Sequence, residues 1–285
     1  MAAKPEITIV GAGRLGTSLA LALFKAGYRI TEIVSRSRRS SRTKAAALAR
    51  KVKSSAVPLD EATFSSKIIW LCVPDREISR CARSLAQGRK WRGKIVFHSS
   101  GALTSDELSV LRKQGAAVAS LHPLMTFVPG VLPLLAGVPF AVEGDARAIN
   151  AARKIVRALG AEVFAIRKQH KVAYHAWGAF TSPMLVATLA MAESVAKAAG
   201  LSRAEARKRM LPIVRQTILN YAQKGPAGAF SGPLIRGDVD TVRRHLQTLK
   251  TIPDARNVYG ALATSALRTL PVKNRKTMKK ALTSQ

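Results

Sequence analysis

Gly11, Gly13 and Gly16 stand directly behind the β-branched run Glu6-Ile7-Thr8-Ile9-Val10, and they constrain this chain more than any other feature. Ala12, Arg14 and Leu15 fill the gaps of a Gly-x-Gly-x-x-Gly spacing, and an apolar helical stretch, Thr17 to Ala26, follows. Strand, glycine turn and helix in that order make the dinucleotide fingerprint. Gly11 permits the tight turn, Gly13 lets the backbone approach a pyrophosphate, and Gly16 lets helix and strand pack closely. The helix N-terminus then offers free N–H groups and partial positive charge to phosphates. Gly11, Gly13, Arg14, Leu15 and Gly16 are therefore the expected cofactor contacts in this turn. The plainer alternative is a glycine turn in an α/β protein that binds nothing.

The second strand, Arg29-Ile30-Thr31-Glu32-Ile33-Val34, selects the nucleotide. NAD-binding sheets carry an acid near its tip for the ribose 2′-hydroxyl. Here the tip reads Ser35-Arg36-Ser37-Arg38-Arg39, and Glu32 lies three residues short of it. Hydroxyl and guanidinium groups suit a 2′-phosphate. Ser35, Arg36 and Arg38 thus point to NADP(H) rather than NAD(H).

Strands alternate with helical stretches as far as residue 166, which argues a mostly parallel, Rossmann-like sheet with helices on both faces. After Arg167 no strand is evident. A helical stretch from Gln169 to Ala199, interrupted at Gly178 and Pro183, opens an all-helical half, and Ser202-Arg203-Ala204-Glu205 restarts a helix with a capping box. The expected domains are residues 1–166, binding the nucleotide, and residues 167–285, for dimerisation and substrate. A length of 285 residues suits two domains with separate cores.

The formal charge of +31 raises nucleic acid as a partner. The cations are spread along the chain, however, and aromatic residues form only 5 % of it, with none interleaved among the basic clusters as base stacking requires. No specific nucleic-acid partner is expected. No uninterrupted apolar run reaches the ~18 residues of a membrane span. The chain opens on a strand rather than a signal peptide, and Cys72 and Cys81 have no metal or redox spacing. A cytoplasmic protein without a metal is the expectation.

Four segments carry a family likeness: His98-Ser99-Ser100-Gly101-Ala102, Leu121-His122-Pro123-Leu124, Tyr174-His175-Ala176 and Gly232-Pro233-Leu234-Ile235-Arg236-Gly237-Asp238. With the Val73-Pro74 loop they resemble the superfamily of pyrroline-5-carboxylate reductase, β-hydroxyacid dehydrogenases and 6-phosphogluconate dehydrogenase. The nearest branch joins a Rossmann-like domain to a C-terminal domain of unknown function. The resemblance implies a homodimer, cofactor contacts from Val73 and Pro74, and a substrate lying between the nicotinamide and the first long helix of the second half.

That helix holds Lys171, His175, Thr181 and Ser182. Lys171 and His175 are four residues apart and share a face. β-Hydroxyacid dehydrogenases place Lys and Asn at this spacing, and here His175 replaces the Asn. Thr181-Ser182-Pro183 is similar to a reduced Ser/Thr-rich segment of pyrroline-5-carboxylate reductases. Reduction of C=O or C=N needs a proton at the heteroatom, and His175, Lys171 and Ser182 are the candidates to give or hold it. His98, Ser99 and Ser100, after one strand, and His122, after the next, sit where open α/β sheets bind ligands. Thr181, and Arg236 in a Gly/Pro-bounded loop, are further candidate substrate contacts. The sequence thus reads as an NADP(H)-dependent oxidoreductase of a small, anionic carbonyl or imine compound. A non-catalytic NADP(H) sensor and a basic nucleic-acid-associated protein are the alternatives.

Overall fold

The computed structural model describes residues 4–283 and divides into two compact units between Ser182 and Pro183. In the first unit the elements run β1 (Ile7–Val10), α1 (Arg14–Lys25), β2 (Ile30–Ser35), α2 (Arg39–Lys51), β3 (Ser55–Pro58), β4 (Ile68–Leu71) and α3 (Asp75–Ala86). They continue through β5 (Ile95–His98), α4 (Ser109–Lys113), β6 (Ala117–Pro123), β7 (Pro139–Gly144), α5 (Ala146–Ala158), β8 (Glu162–Ala165) and α6 (Lys171–Thr181). One eight-stranded sheet results, in the order β3-β2-β1-β4-β5-β6-β7-β8.

Burial on both faces explains why β1, β4 and β5 are buried throughout and mostly apolar rather than alternating. Two buried clusters fill the sheet, one around Leu19, Ile33, Trp70 and Phe140, the other around Ile69, Ile78, Leu85 and Val96. Every neighbouring pair is parallel except β6 and β7. Parallel strands need a crossover of a dozen or more residues, usually a helix. Residues 124–138 supply none, so the chain turns back and β7 pairs antiparallel to β6. The sequence did not announce that reversal, nor the short edge strand β3, whose residues are exposed or half-buried.

The sheet ends where the sequence changes character near residue 167, but the compact unit runs on to Ser182. The cause is the inner face of α6, where Lys171 and Tyr174 are buried. The helix also passes through Gly178 unbroken and stops instead at Ser182, whose φ of −129° and ψ of −79° leave the helical region.

The second unit is helical: α7 (Pro183–Ala198), α8 (Arg203–Ala229), α9 (Pro233–Arg236), α10 (Val239–Leu249), α11 (Ala255–Thr269) and α12 (Arg275–Thr283). Its core gathers Val242, Leu246, Leu267, Val272 and Met278. Two sequence expectations change here. Arg236 ends the short helix α9 rather than sitting in an open loop. The basic tail is the helix α12, with Met278 and Ala281 buried. The predicted capping box at Ser202 and Glu205 is present, and Arg207 clamps Glu193 through Nε and Nη2 at 2.8 and 3.0 Å.

No apolar run here is uninterrupted, yet residues Lys168–Ala198 include an 18-residue stretch of mean hydropathy 1.3, long and apolar enough to cross a membrane by length and composition alone. They form two helices broken at Ser182 and divided between the units, and Met184, Leu185 and Val186 are exposed.

Candidate functional site

The fingerprint turn joins β1 to α1, and its three glycines differ. Gly11 has φ +107°, and a Cβ there would lie 2.5 Å from the Cys72 carbonyl oxygen. At Gly16 a Cβ would come within 1.9 Å of the Gly11 oxygen. The fold itself demands both. A Cβ at Gly13 would meet nothing within 4 Å, so internal packing gives no reason for that glycine. It leaves open a backbone cradle at the start of α1, whose first turn holds no acid and no side-chain cap. The residues present fit a diphosphate there.

A cavity of about 440 Å³ opens from this turn and is lined by Gly11, Gly13, Ser35, Arg36, Val73 and Pro74, all expected from the sequence. Arg14, Leu15, Gly16 and Arg38 were expected too and do not line it. Arg14 turns away and donates to the Phe127 carbonyl at 3.1 Å; Gly16 is buried beneath the turn. Sequence reasoning missed Ser41 and Lys44 on α2 and Glu77 and Arg80 on α3, which also line the cavity. The signal was present as a one-turn spacing on each helix, but it needed the knowledge that α2 and α3 flank the same cleft. The charged heads of Arg36, Lys44 and Arg80 are neither hydrogen-bonded nor ion-paired to any described residue, and the cavity is lined by one acid, Glu77.

Glu32 explains the absent ribose acid. Its buried carboxylate accepts from Thr63 N at 2.9 Å, Thr63 Oγ1 at 2.8 Å and Phe64 N at 3.1 Å, which leaves it committed to the interior.

A second polar group forms where β5, β6 and α6 meet. His98 is fully buried, and both ring nitrogens serve its own turn: Nε2 faces the Thr104 carbonyl at 2.9 Å and Nδ1 accepts from Ser100 N at 3.1 Å. Burial holds its pKa down to about 4. Both ring nitrogens of His98 are therefore engaged within its own turn, and neither is left free beside the strand end. Ser99 accepts from Trp70 Nε1 at 2.7 Å. Ser100 Oγ donates to Asp75 at 2.7 Å and accepts from the Leu103 amide at 2.9 Å. Ser99 is thus engaged with β4, and Ser100 with α3 and its own loop.

Lys171 is 1 % exposed. Its ammonium donates to the Ser100 carbonyl at 2.9 Å and to Ser120 Oγ at 2.5 Å. Burial pushes its pKa down to about 8, against the pull of Glu143 and Asp75. The group points inward, at one main-chain carbonyl and one serine hydroxyl. His175, one turn later, is exposed on the same side of α6. A Cβ on Gly101 would lie 2.4 Å from His175 Cδ2 and 3.0 Å from His122 Nε2, so the two imidazole edges meet above that glycine. Burial, then the Lys171 ammonium, holds His122 at about 4. Tyr174, which the sequence argument passed over, binds His122 Nδ1 through its hydroxyl at 2.7 Å.

The remaining candidates lie elsewhere. Ser182 is eleven residues beyond Lys171, about 16 Å at helical rise. Thr181 Oγ1 is exposed and donates to the Gly178 carbonyl. Arg236 belongs to the second unit. The described residues contain no cluster of His, Cys, Asp and Glu fit for a metal.

Fold and cleft together define a Rossmann-like nucleotide-binding architecture followed by a helical domain. Two family models match in agreement: a Rossmann-like domain over residues 1–123 and a domain of unknown function, DUF2520, over residues 138–266. The chain therefore joins these two domains, as its motifs lead one to expect. The second match begins at β7, so it takes in part of the common sheet. No curated protein matches the chain. Among solved structures it is similar to a Bacteroides fragilis protein provisionally named an NADP oxidoreductase, with 24 % identity, TM-score 0.77, and 92 % of this chain and 97 % of that one covered. It is also similar to an imine reductase from a Pseudomonas species, with 20 % identity, TM-score 0.66, and 98 % and 99 % covered. A third is the pyrroline-5-carboxylate reductase of Coxiella burnetii, with 14 % identity, TM-score 0.59, and 92 % and 98 % covered. At these identities the likeness establishes the fold.

Proposed function

We propose that the chain is an NADP(H)-dependent oxidoreductase acting on a small, anionic carbonyl or imine compound. The observation that carries this is the cleft itself: a backbone cradle open at Gly13, leading to three unpaired cations and no acid at the ribose position. Gly11, Gly13 and the first turn of α1 would hold the diphosphate, and Arg36 with Lys44 and Arg80 the 2′-phosphate. A reduced nicotinamide supplies a hydride when bound. The names of the similar structures, among them an imine reductase and a pyrroline-5-carboxylate reductase, support this reaction type.

Within this reading Lys171 fastens the turn after β5 and sets the local field, while His175 gives the proton to the substrate heteroatom. General acid catalysis contributes roughly 10²–10⁴-fold. His175→Ala should lower turnover by about that factor and leave NADPH affinity nearly unchanged. The exposed apolar side chains Leu211, Ile213, Ile218 and Leu219 on α8 support a two-fold dimer through residues 184–222 and the later helices.

The test is titration with NADPH followed by NADPH-oxidation screening of keto acids and cyclic imines. No binding overturns the reading. Binding without turnover across the panel would favour a sensor.

A further inference from the structure

Tyr174 is packed between Phe164 and Trp177 and is 6 % exposed. Its ring meets that of His122 edge to face, with centroids 5.5 Å apart and an interplanar angle of 88°. A buried phenol O–H must donate to something. Among the described residues the acceptor within reach is His122 Nδ1, at 2.7 Å. If Nδ1 carried the ring proton, it would donate to the phenol oxygen and strand the phenol hydrogen. Nδ1 therefore accepts, and a neutral imidazole then carries its one proton on Nε2. Nε2 is bonded to no described residue. It faces Gly101 and the ring of His175, whose centroid is 6.2 Å from that of His122. Burial and the neighbouring Lys171 keep His122 neutral, so the ring donates without competing to protonate the substrate.

We propose that Tyr174 is a positioning residue that holds the His122 proton on Nε2, and that this N–H grips a carbonyl oxygen beside His175. The inference rests on the oxidoreductase reading and narrows it. A carbonyl oxygen has two lone pairs, one for the His122 N–H and one for the proton that His175 delivers. An imine nitrogen has a single lone pair and cannot accept both. In the reduction the carbonyl carbon takes the hydride, the π pair passes to oxygen, and oxygen takes the proton that His175 gives up. A bound reduced nicotinamide would supply that hydride with its two electrons and be oxidised in turn, and the product would be a hydroxy compound. A neutral imidazole used as a donor is a known way to polarise a carbonyl.

The tautomer is read directly in the full chain, labelled with ¹⁵N-histidine, by long-range ¹H–¹⁵N correlation, with His122→Gln assigning the ring. Nδ1 should resonate as an unprotonated nitrogen and Nε2 as a protonated one. Tyr174→Phe should move both toward a mixture of tautomers. A protonated Nδ1 in the native chain, or a pattern unmoved by Tyr174→Phe, overturns the proposal. In NADPH-oxidation assays 2-keto acids should turn over and cyclic imines should not; the reverse overturns the substrate assignment. A chain that binds no NADPH overturns the oxidoreductase reading and the substrate role with it, whereas the tautomer is decided by the spectrum alone.

Discussion

The Lys171 ammonium and the Ser100 carbonyl, 2.9 Å apart, bolt helix α6 to the turn after β5. The bolt carries a pH signature. In the unfolded chain a lysine titrates near 10.4, and here burial brings Lys171 down to about 8. Between these values the unfolded chain binds more protons, so this group makes stability rise with pH. Below about 8 the full cost of burying the ammonium is present. Lys171→Met should remove the rise. Urea unfolding of both proteins at about pH 8 and about pH 10 checks this, since other groups cancel in the difference. Equal gains in the two proteins would refute it.

The fingerprint glycines should separate by role. Gly13→Ala places its methyl group in open space and should keep the native melting temperature while losing NADPH binding. Gly16→Ala drives a methyl into the Gly11 carbonyl and should destabilise the fold by about 1–3 kcal/mol. Calorimetry beside cofactor titration gives both readouts. An alanine at 13 that binds NADPH normally would remove the diphosphate from that turn.

NADPH should bind at least tenfold tighter than NADH, because one charged hydrogen bond is worth roughly 1.5–3 kcal/mol. Arg36→Ala and Lys44→Ala should each weaken NADPH by about tenfold and NADH little. Arg38→Ala should change neither, since Arg38 does not line the cavity. Equal native affinities for the two cofactors would sink the assignment.

Light scattering at micromolar concentration should give the mass of a dimer. Ile213 and Leu219 are 68 % and 53 % exposed on α8. The double substitution Ile213→Asp with Leu219→Asp should yield a monomer with unchanged helical content by circular dichroism. A monomeric native chain rules the dimer out.

The sheet and its glycine turn were legible because backbone geometry leaves few residues able to serve there, and β-branched runs report burial on both faces. The antiparallel return of β7 was not, because direction depends on a crossover helix that residues 124–138 fail to supply. The strand-end rule placed His98 and His122 alike. Only the structure separates them: one ring is consumed by its own turn, and the other keeps a nitrogen free. Tyr174 stood in a quoted segment, but its role was not legible because its partner lies 52 residues away in sequence. Arg38 and Lys44 show the same limit, since which cation faces the cleft is set by the phase of α2.

Glu32 has one further consequence, for how this chain could change its cofactor. An acid already stands on the second strand, yet Thr63 and Phe64 hold it so completely that turning it toward a ribose would leave two backbone amides unanswered, that of Phe64 in the interior. A shift toward NAD(H) would have to be written at position 36, whose side chain is exposed at the strand tip. Substitution there disturbs no packing, so cofactor preference in this architecture can drift while the sheet that displays it stays fixed.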